Sequence, residues 1–109
     1  MWQKMLQVGS GGSVDYEIKQ FTTSSTQAQT ITFDFNPSKV IVVQNPFLSE
    51  FGSISGWDGT TTHAVHWAGT SYGKDSAVFK ISVSGNAVTI PLIDSALYAG
   101  KVGYVIAFK

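Results

Sequence analysis

Cysteine is absent from the chain, and charged residues make up only 13% of its 109 residues. Without cysteine the protein can form neither a disulfide framework nor a thiolate metal site. The seven basic and seven acidic residues cancel to a net charge of zero, so the chain lacks the basic patch on which nucleic-acid binding depends. It also lacks a P-loop and a Gly-x-Ser-x-Gly nucleophile elbow. We therefore expect no nucleic-acid partner and no cofactor.

Long apolar runs are absent as well. No stretch approaches the roughly 18 apolar residues of a transmembrane helix, and residues 1–8 lack the apolar run of a secretory signal. We expect a protein that does not insert into membranes and that is made in a cytoplasm without a signal peptide. No helical pattern of ten or more residues occurs, and no internal repeat is evident.

Hydrophobic residues reach 43% and aromatic residues 13%, which is enough for one packed domain. The most informative stretch is residues 31–43. Ile31, Phe33 and Phe35 alternate with polar residues and predict a strand with one buried face. After a turn at Asn36–Ser38, four consecutive β-branched residues (40–43) predict a central strand covered on both sides, adjoining the first.

A β-hairpin is predicted around Gly85-Asn86. Apolar residues alternate on both sides of this pair, and a two-residue Gly-Asn loop is typical of a type II′ turn. That turn would set Val83 opposite Val88 and, further along, Phe79 opposite Leu92. Since proline has no N–H to donate, we expect the ladder to be disturbed or to end at Pro91.

Further strands are predicted at residues 14–21, 61–68 and 102–108. About seven or eight strands at this spacing favour an all-β fold, a single antiparallel β-sandwich of jelly-roll type. The sandwich domain would comprise residues 14–109. Residues 1–13 would form a separate N-terminal segment that ends in the Gly/Ser-rich connection 9–13.

The N-terminal segment carries Trp2, Met5 and Leu6, which are unusual on a solvated tail. Two interpretations are open. Residues 1–8 could pack on the sheet of their own domain, or they could form a peg that docks on a neighbouring subunit or a larger assembly.

Four residues in the aromatic- and glycine-rich stretch 47–76 are candidates for glycan binding: Trp57, Asp58, Trp67 and Tyr72. Exposed aromatic rings stack on the apolar faces of sugars, and neighbouring polar groups can bind the hydroxyls. The alternative is that these rings fill the core or a subunit interface, as aromatic residues do in small sandwiches.

Metal binding and catalysis have weaker support. His63 and His66 have H-x-x-H spacing, but on a strand they would point to opposite faces and could not share one ion. A hydrolase would need Asp58 and Asp75, with Glu50 nearby, to meet across one cleft, and the sequence does not define their separation. We expect no metal site, no catalytic residues and no enzymatic activity.

The phrase Ile-Thr-Phe-Asp-Phe-Asn-Pro-Ser-Lys-Val-Ile-Val-Val at residues 31–43 resembles a pattern in small β-sandwich domains of bacteriophage tail-fibre and tail-tip (receptor-binding) proteins. There an alternating strand leads through a Pro-x-Lys turn into a valine/isoleucine strand. The closing stretch 103–108 is also similar to the last strand of such domains, with Lys109 in place of the usual glycine. Together the two matches cover about twenty residues.

The resemblance implies a structural virion protein of a phage or prophage, in a tail or another surface appendage. It implies a homotrimer that contacts other virion proteins and acts in particle assembly or in attachment to a host-surface glycan. A free-standing, lectin-like carbohydrate-binding module is the alternative, and a small hydrolase is a third. A domain of this size needs its own means of attachment, for which residues 1–8 are the candidate.

Overall fold

The computed structural model describes residues 15–45, 51–93 and 99–109, and within them it confirms the antiparallel all-β sandwich. These ranges contain nine strands, rather than the predicted seven or eight, and one 3-10 helix, Ala77–Phe79. The strands are β1 (Tyr16–Thr22), β2 (Gln29–Thr32), β3 (Lys39–Gln44), β4 (Phe51–Trp57), β5 (Thr62–Ala68), β6 (Ser71–Lys74), β7 (Ser82–Ser84), β8 (Ala87–Ile90) and β9 (Val102–Phe108). No helix among the described residues is long and apolar enough to cross a membrane.

The strands form two sheets of unequal size. The larger sheet has six strands in the order β1-β9-β3-β4-β5-β6, and the smaller has three in the order β2-β8-β7. The two segments of the stretch 31–43 therefore lie in different sheets, and the expectation that they adjoin is wrong. Strand β9 pairs with β1 on one side and with β3 on the other, so the last described strand lies inside the larger sheet.

The main core lies between the two sheets. From the larger sheet it takes Phe21 of β1 and alternate residues of β3 and β9, and from the smaller sheet it takes residues of β8. Phe33 is only 1% exposed although β2 ends at Thr32. Its N–H donates to the Asn86 carbonyl at 2.9 Å, and its own carbonyl accepts from the Asn86 side-chain amide at 2.8 Å. Asn86 of the hairpin turn thus satisfies the backbone hydrogen bonds of Phe33, one residue past the end of β2.

The hairpin itself is confirmed in its register. Val83 pairs with Val88, and Ser84 pairs with Ala87, leaving Gly85-Asn86 as the loop. Gly85 has a φ of +60°, whereas Asn86 does not adopt a positive φ, as a type II′ turn requires. The ladder stops at the end of β8, just before Pro91, as expected.

Further from the turn the predicted pairing is wrong. The pairing of β7 with β8 extends only to Ser82 opposite Thr89. The preceding residues 77–79 turn into the 3-10 helix, which places Phe79 in a second, smaller core cluster with Ala64 and Ile93.

Strand β3 occupies the middle of the larger sheet, as predicted, but it is not covered on both sides. Val40 and Val42 are fully buried on the inner side, whereas Ile41, on the opposite side, is 37% exposed. No other layer of the described structure packs on that side of the sheet.

Candidate functional site

The most distinctive surface is the face of the larger sheet that points away from the core, which we call the outer face. The strand register aligns its side chains in rows that cross the sheet. One row runs Ile18, Ile106, Ile41, Gly56 and His63. The next runs Gln20, Tyr104, Val43, Ile54, Val65 and Lys74. Most positions in the two rows are therefore aliphatic or aromatic.

These apolar side chains are exposed to an unusual degree. Ile18 and Ile54 are each 44% exposed, and Val65 is 47% exposed. A solvated sheet face normally alternates polar residues with the inward apolar ones. Contiguous apolar patches of several hundred Å² on a domain surface are often binding surfaces.

Trp67 and Tyr72 lie together at the β6 end of the outer face, where they are direct cross-strand partners. Gly52 is the cross-strand neighbour of Trp67 on β4, and the Trp67 ring lies over it. A Cβ added to Gly52 would come within 2.4 Å of that ring. Trp67 is therefore half-buried, whereas Tyr72 is 81% exposed. The Trp67 ring lies against the sheet, and the Tyr72 ring projects into solvent.

An open cleft of about 700 Å³ lies elsewhere along the outer face, near the end of β9. Ile41, Trp57 and Phe108 give it apolar walls. Its other lining residues are Asp15, Ser38, Lys39, Val40, Gly56, Asp58, Thr61, His63 and Lys109.

Asp58 forms the turn between β4 and β5 at the edge of this cleft. Its Oδ1 accepts hydrogen bonds from the backbone N–H groups of Thr61 and Thr60, each at 2.9 Å, and from the Thr60 hydroxyl at 3.0 Å. Donors that favour the charged carboxylate, the Thr61 N–H foremost, hold the pKa of Asp58 well below its usual range. Asp58 therefore stabilises this turn.

The four predicted glycan-binding residues thus fall into two groups. Trp57 and Asp58 line the cleft, with Trp57 also packed against the main core. Trp67 is four residues from His63 on β5, so Trp67 and its partner Tyr72 lie about 13 Å along the strands from the row that contains His63. The structure does not join all four into one site.

The two histidines occupy opposite sides of β5, as predicted for a strand. His63 is exposed, and its Nδ1 lies 3.2 Å from Oδ1 of Asp75. The His66 ring stacks on Phe79 with 4.4 Å between ring centroids. In the described part of the chain, no group of three or more His, Cys, Asp or Glu side chains is placed to hold a metal ion.

Asp58 and Asp75, the acidic residues considered for hydrolysis, do not line the same cleft. Asp58 and His63 line the cleft, whereas Asp75 is not part of its lining and contacts His63 instead. The Ala64 N–H, at 3.1 Å, lowers the pKa of Asp75, assisted by His63. Both carboxyl groups are thereby kept ionised, which does not suit a general acid. Within the described ranges, the His63 ring forms no hydrogen bond to a hydroxyl group.

Glu50 and the docking candidates Trp2, Met5 and Leu6 lie outside the described residues. The outer face was missed as a site, although its signal was present. The run 40–43 is apolar on both faces, a pattern that predicts a strand covered on both sides and so conceals an exposed apolar face.

Comparison with known proteins gives no relative: no protein-family description, no curated protein and no solved structure matches the chain.

Proposed function

We propose that this protein is a structural component of a larger assembly and that it associates with further copies of itself through the outer face. The apolar rows that cross the six-stranded sheet carry this proposal. Removing exposed Ile and Val side chains from water stabilises association by about 25 cal/mol per Å².

The size of the outer face fits such an interface. Six strands spaced about 4.8 Å apart and about 20 Å long present roughly 500 Å². This area covers the whole face, polar positions included, and is a large part of the roughly 800 Å² that each partner buries in a standard interface.

Charge does not oppose the contact between copies. The apolar rows end at His63 and Lys74, at the sheet's β5–β6 side, and the net charge of the chain is zero. A second copy is therefore the partner that the surface fits best.

The kind of assembly follows from the resemblance to phage tail-fibre domains. Three copies that direct their outer faces to a shared threefold axis would bury the apolar rows and leave the loops and β6 accessible. We propose a homotrimeric virion protein of a phage or prophage appendage, with a role in particle assembly or host attachment.

Val65→Lys tests this function. A lysine ammonium beside Ile54, near the β5–β6 end of its row, would have to be desolvated in the interface, so we expect the oligomer to dissociate at least about tenfold more readily, equivalent to about 1.4 kcal/mol. Sedimentation velocity over a range of protein concentrations measures this.

The matched control is Val78→Lys. Val78 is similarly exposed, at 40%, but lies on the 3-10 helix away from the outer face. A wild-type protein that stays monomeric at high concentration, or equal effects of the two substitutions, would contradict the proposal.

Glycan binding is a second function that one observation favours, namely the 81% exposure of Tyr72 beside Trp67 at the edge of the sheet. Rings in this arrangement can stack on a sugar. We expect Tyr72→Phe to retain binding on a glycan array and Tyr72→Ala to lose it. A wild-type protein that binds no glycan on the array would rule this function out.

A further inference from the structure

We propose that strand β1 pairs antiparallel with β1 of a second copy, about a twofold axis at Ile18. The two six-stranded sheets then become one continuous sheet across the contact. This inference concerns the edge of the larger sheet and not its outer face, so it does not rest on the association proposed above.

Strand β1 is the longest free edge of the described structure. It has seven residues and no proline, and it pairs with β9 along its whole length. The other outermost strands are β6, β2 and β7, with four, four and three residues. Proteins usually keep such edges short, because a row of unpaired backbone groups recruits another strand. A long, regular edge therefore favours pairing through β1.

The hydrogen bonds to β9 show which backbone groups of β1 face outwards. The Asp15 carbonyl, just before β1, accepts from the Lys109 N–H at 2.9 Å. Because the direction of these groups alternates along an antiparallel strand, the odd-numbered residues face β9. The even-numbered residues of β1 present their N–H and C=O groups to the free edge: Tyr16, Ile18, Gln20 and Thr22.

Three of these four residues are available to a partner. The Thr22 carbonyl accepts a hydrogen bond from the Gln29 side-chain amide at 2.7 Å, whereas no group of the described residues bonds to the outward backbone of the other three. Pairing centred on Ile18 sets Ile18 opposite its counterpart and Tyr16 opposite Gln20 of the second copy. It therefore uses the available residues and does not require the Thr22 carbonyl.

The charges on β1 select the same register. Glu17 and Lys19 flank Ile18 and lie on the same side of the strand as the core residue Phe21. Pairing centred on Ile18 places each Glu17 opposite Lys19 of the other copy, which joins opposite charges on both sides of the axis. A twofold axis at Glu17 or at Lys19 would instead set like charges against each other.

The edge is already ordered before pairing. The Gln29 amide ties β2 to the Thr22 carbonyl, and the Lys19 Nζ donates to the Thr32 carbonyl at 2.6 Å. An ammonium group has three donors, so Lys19 can also donate to a carboxylate of the second copy. A strand that is held in this way loses little conformational freedom on association, which favours binding.

The pairing extends the outer face and does not cover it. Paired strands share their two faces, so the Ile18 side chain stays on the outer face beside its counterpart. The row that contains Ile18 then runs on into the second copy, and the two modes of association can coexist.

A single engineered cysteine tests the register, because the chain has none of its own. Residues opposite each other in a hydrogen-bonded antiparallel pair have Cα atoms about 5.5 Å apart, a separation that a disulfide spans. In a glutathione redox buffer we expect Ile18→Cys to form a disulfide-linked dimer. Gln20→Cys, on the same edge and face, is the control, because its counterpart would lie about 13 Å away along the strand. Equal cross-linking of the two variants, or none in Ile18→Cys, would overturn the proposal.

Charge reversal provides a test that a folding defect cannot mimic. Glu17→Lys and Lys19→Glu each set like charges against each other in a self-paired dimer. We expect each variant alone to dimerise at least about tenfold more weakly than wild type in sedimentation velocity. An equimolar mixture of the two should restore the dimer, because every charge then faces its opposite. A mixture that associates no better than its components would overturn the proposal.

Val65→Lys separates this contact from the outer face. We expect Ile18→Cys to cross-link equally well with and without Val65→Lys, and loss of cross-linking in the combined variant would overturn this inference. If Val65→Lys leaves association unchanged while the mixed charge variants form a dimer, association through the outer face is refuted and the pairing of β1 stands.

Discussion

Three glycines in the larger sheet each lie directly opposite an aromatic ring on a neighbouring strand. The pairs are Gly52 with Trp67, Gly73 with His66 and Gly103 with Phe21. A Cβ added to any of these glycines would come within 2.3–2.4 Å of the ring. The ring covers the glycine backbone and gains contact area in return. The sequence shows glycines near aromatic residues, but only the register shows which ring lies on which glycine.

Gly103→Ala tests this packing. The added methyl group would collide with the Phe21 ring, which is 8% exposed in the core. We expect a loss of about 1–3 kcal/mol in the free energy of unfolding, as for overpacked cores, measured by urea denaturation. Gly56→Ala is the control, because its nearest neighbour would be 4.0 Å away. The interpretation fails if both variants unfold at the same urea concentration.

Asp58 predicts a pH dependence of stability. Its hydrogen bonds hold the pKa of the folded carboxyl below the unfolded value of about 3.9. The unfolded state therefore binds the proton first, and the stabilisation is fully present above pH ~4 and is lost as the pH falls through the folded pKa. We expect Asp58→Asn to flatten thermal stability between about pH 4 and pH 2 relative to wild type. Parallel curves for the two proteins would contradict this role.

At the scale of elements, local turn chemistry was the most reliable guide. The Gly85-Asn86 loop sets the register of β7 and β8, because a type II′ turn and the alternating apolar pattern require the same pairing. The extent of β7 and of β2 could not be read in this way. A contact distant in sequence sets each limit. The Asn86 side-chain amide donates to the Phe33 carbonyl just after β2, and the Ile81 N–H donates to the Ser55 hydroxyl at 3.1 Å just before β7.

Gly85→Val measures how much the turn contributes. Gly85 has a φ of +60°, which a β-branched residue resists. We expect a destabilisation of roughly 1 kcal/mol or more in thermal melts, and Gly85→Asn, which tolerates this φ better, should lose less. Equal melting temperatures for wild type and Gly85→Val would show that the turn adopts another conformation.

At the scale of the whole molecule, the fold class followed from the sequence, but the candidate site did not. Apolar residues on both faces of β3 and β9 show that both faces avoid water. They do not show whether a second layer of the same chain or another molecule covers them. Here Val42 is covered from within and Ile41 is not. The same limit applies to Trp57 and Trp67, whose separation depends on strand register.

Because β9 lies between β1 and β3, we predict that the larger sheet cannot form without it. Truncation after Lys101 would remove the partner of both β1 and β3 and expose the fully buried Val40 and Val42. We expect the truncated chain to lose cooperative thermal unfolding and near-ultraviolet circular dichroism. Addition of a synthetic peptide of residues 101–109 should restore both. A truncated chain that melts cooperatively by itself would show that β1 and β3 do not need β9.

This arrangement has a consequence for biosynthesis. A nascent chain leaving the ribosome carries β1 and β3 long before β9 exists, so β1 lacks its native partner during translation and β3 can pair only with β4. The larger sheet must close after residue 108 has emerged from the exit tunnel. Until then, the edges of β1 and β3 are open to chaperones and to other unfinished chains.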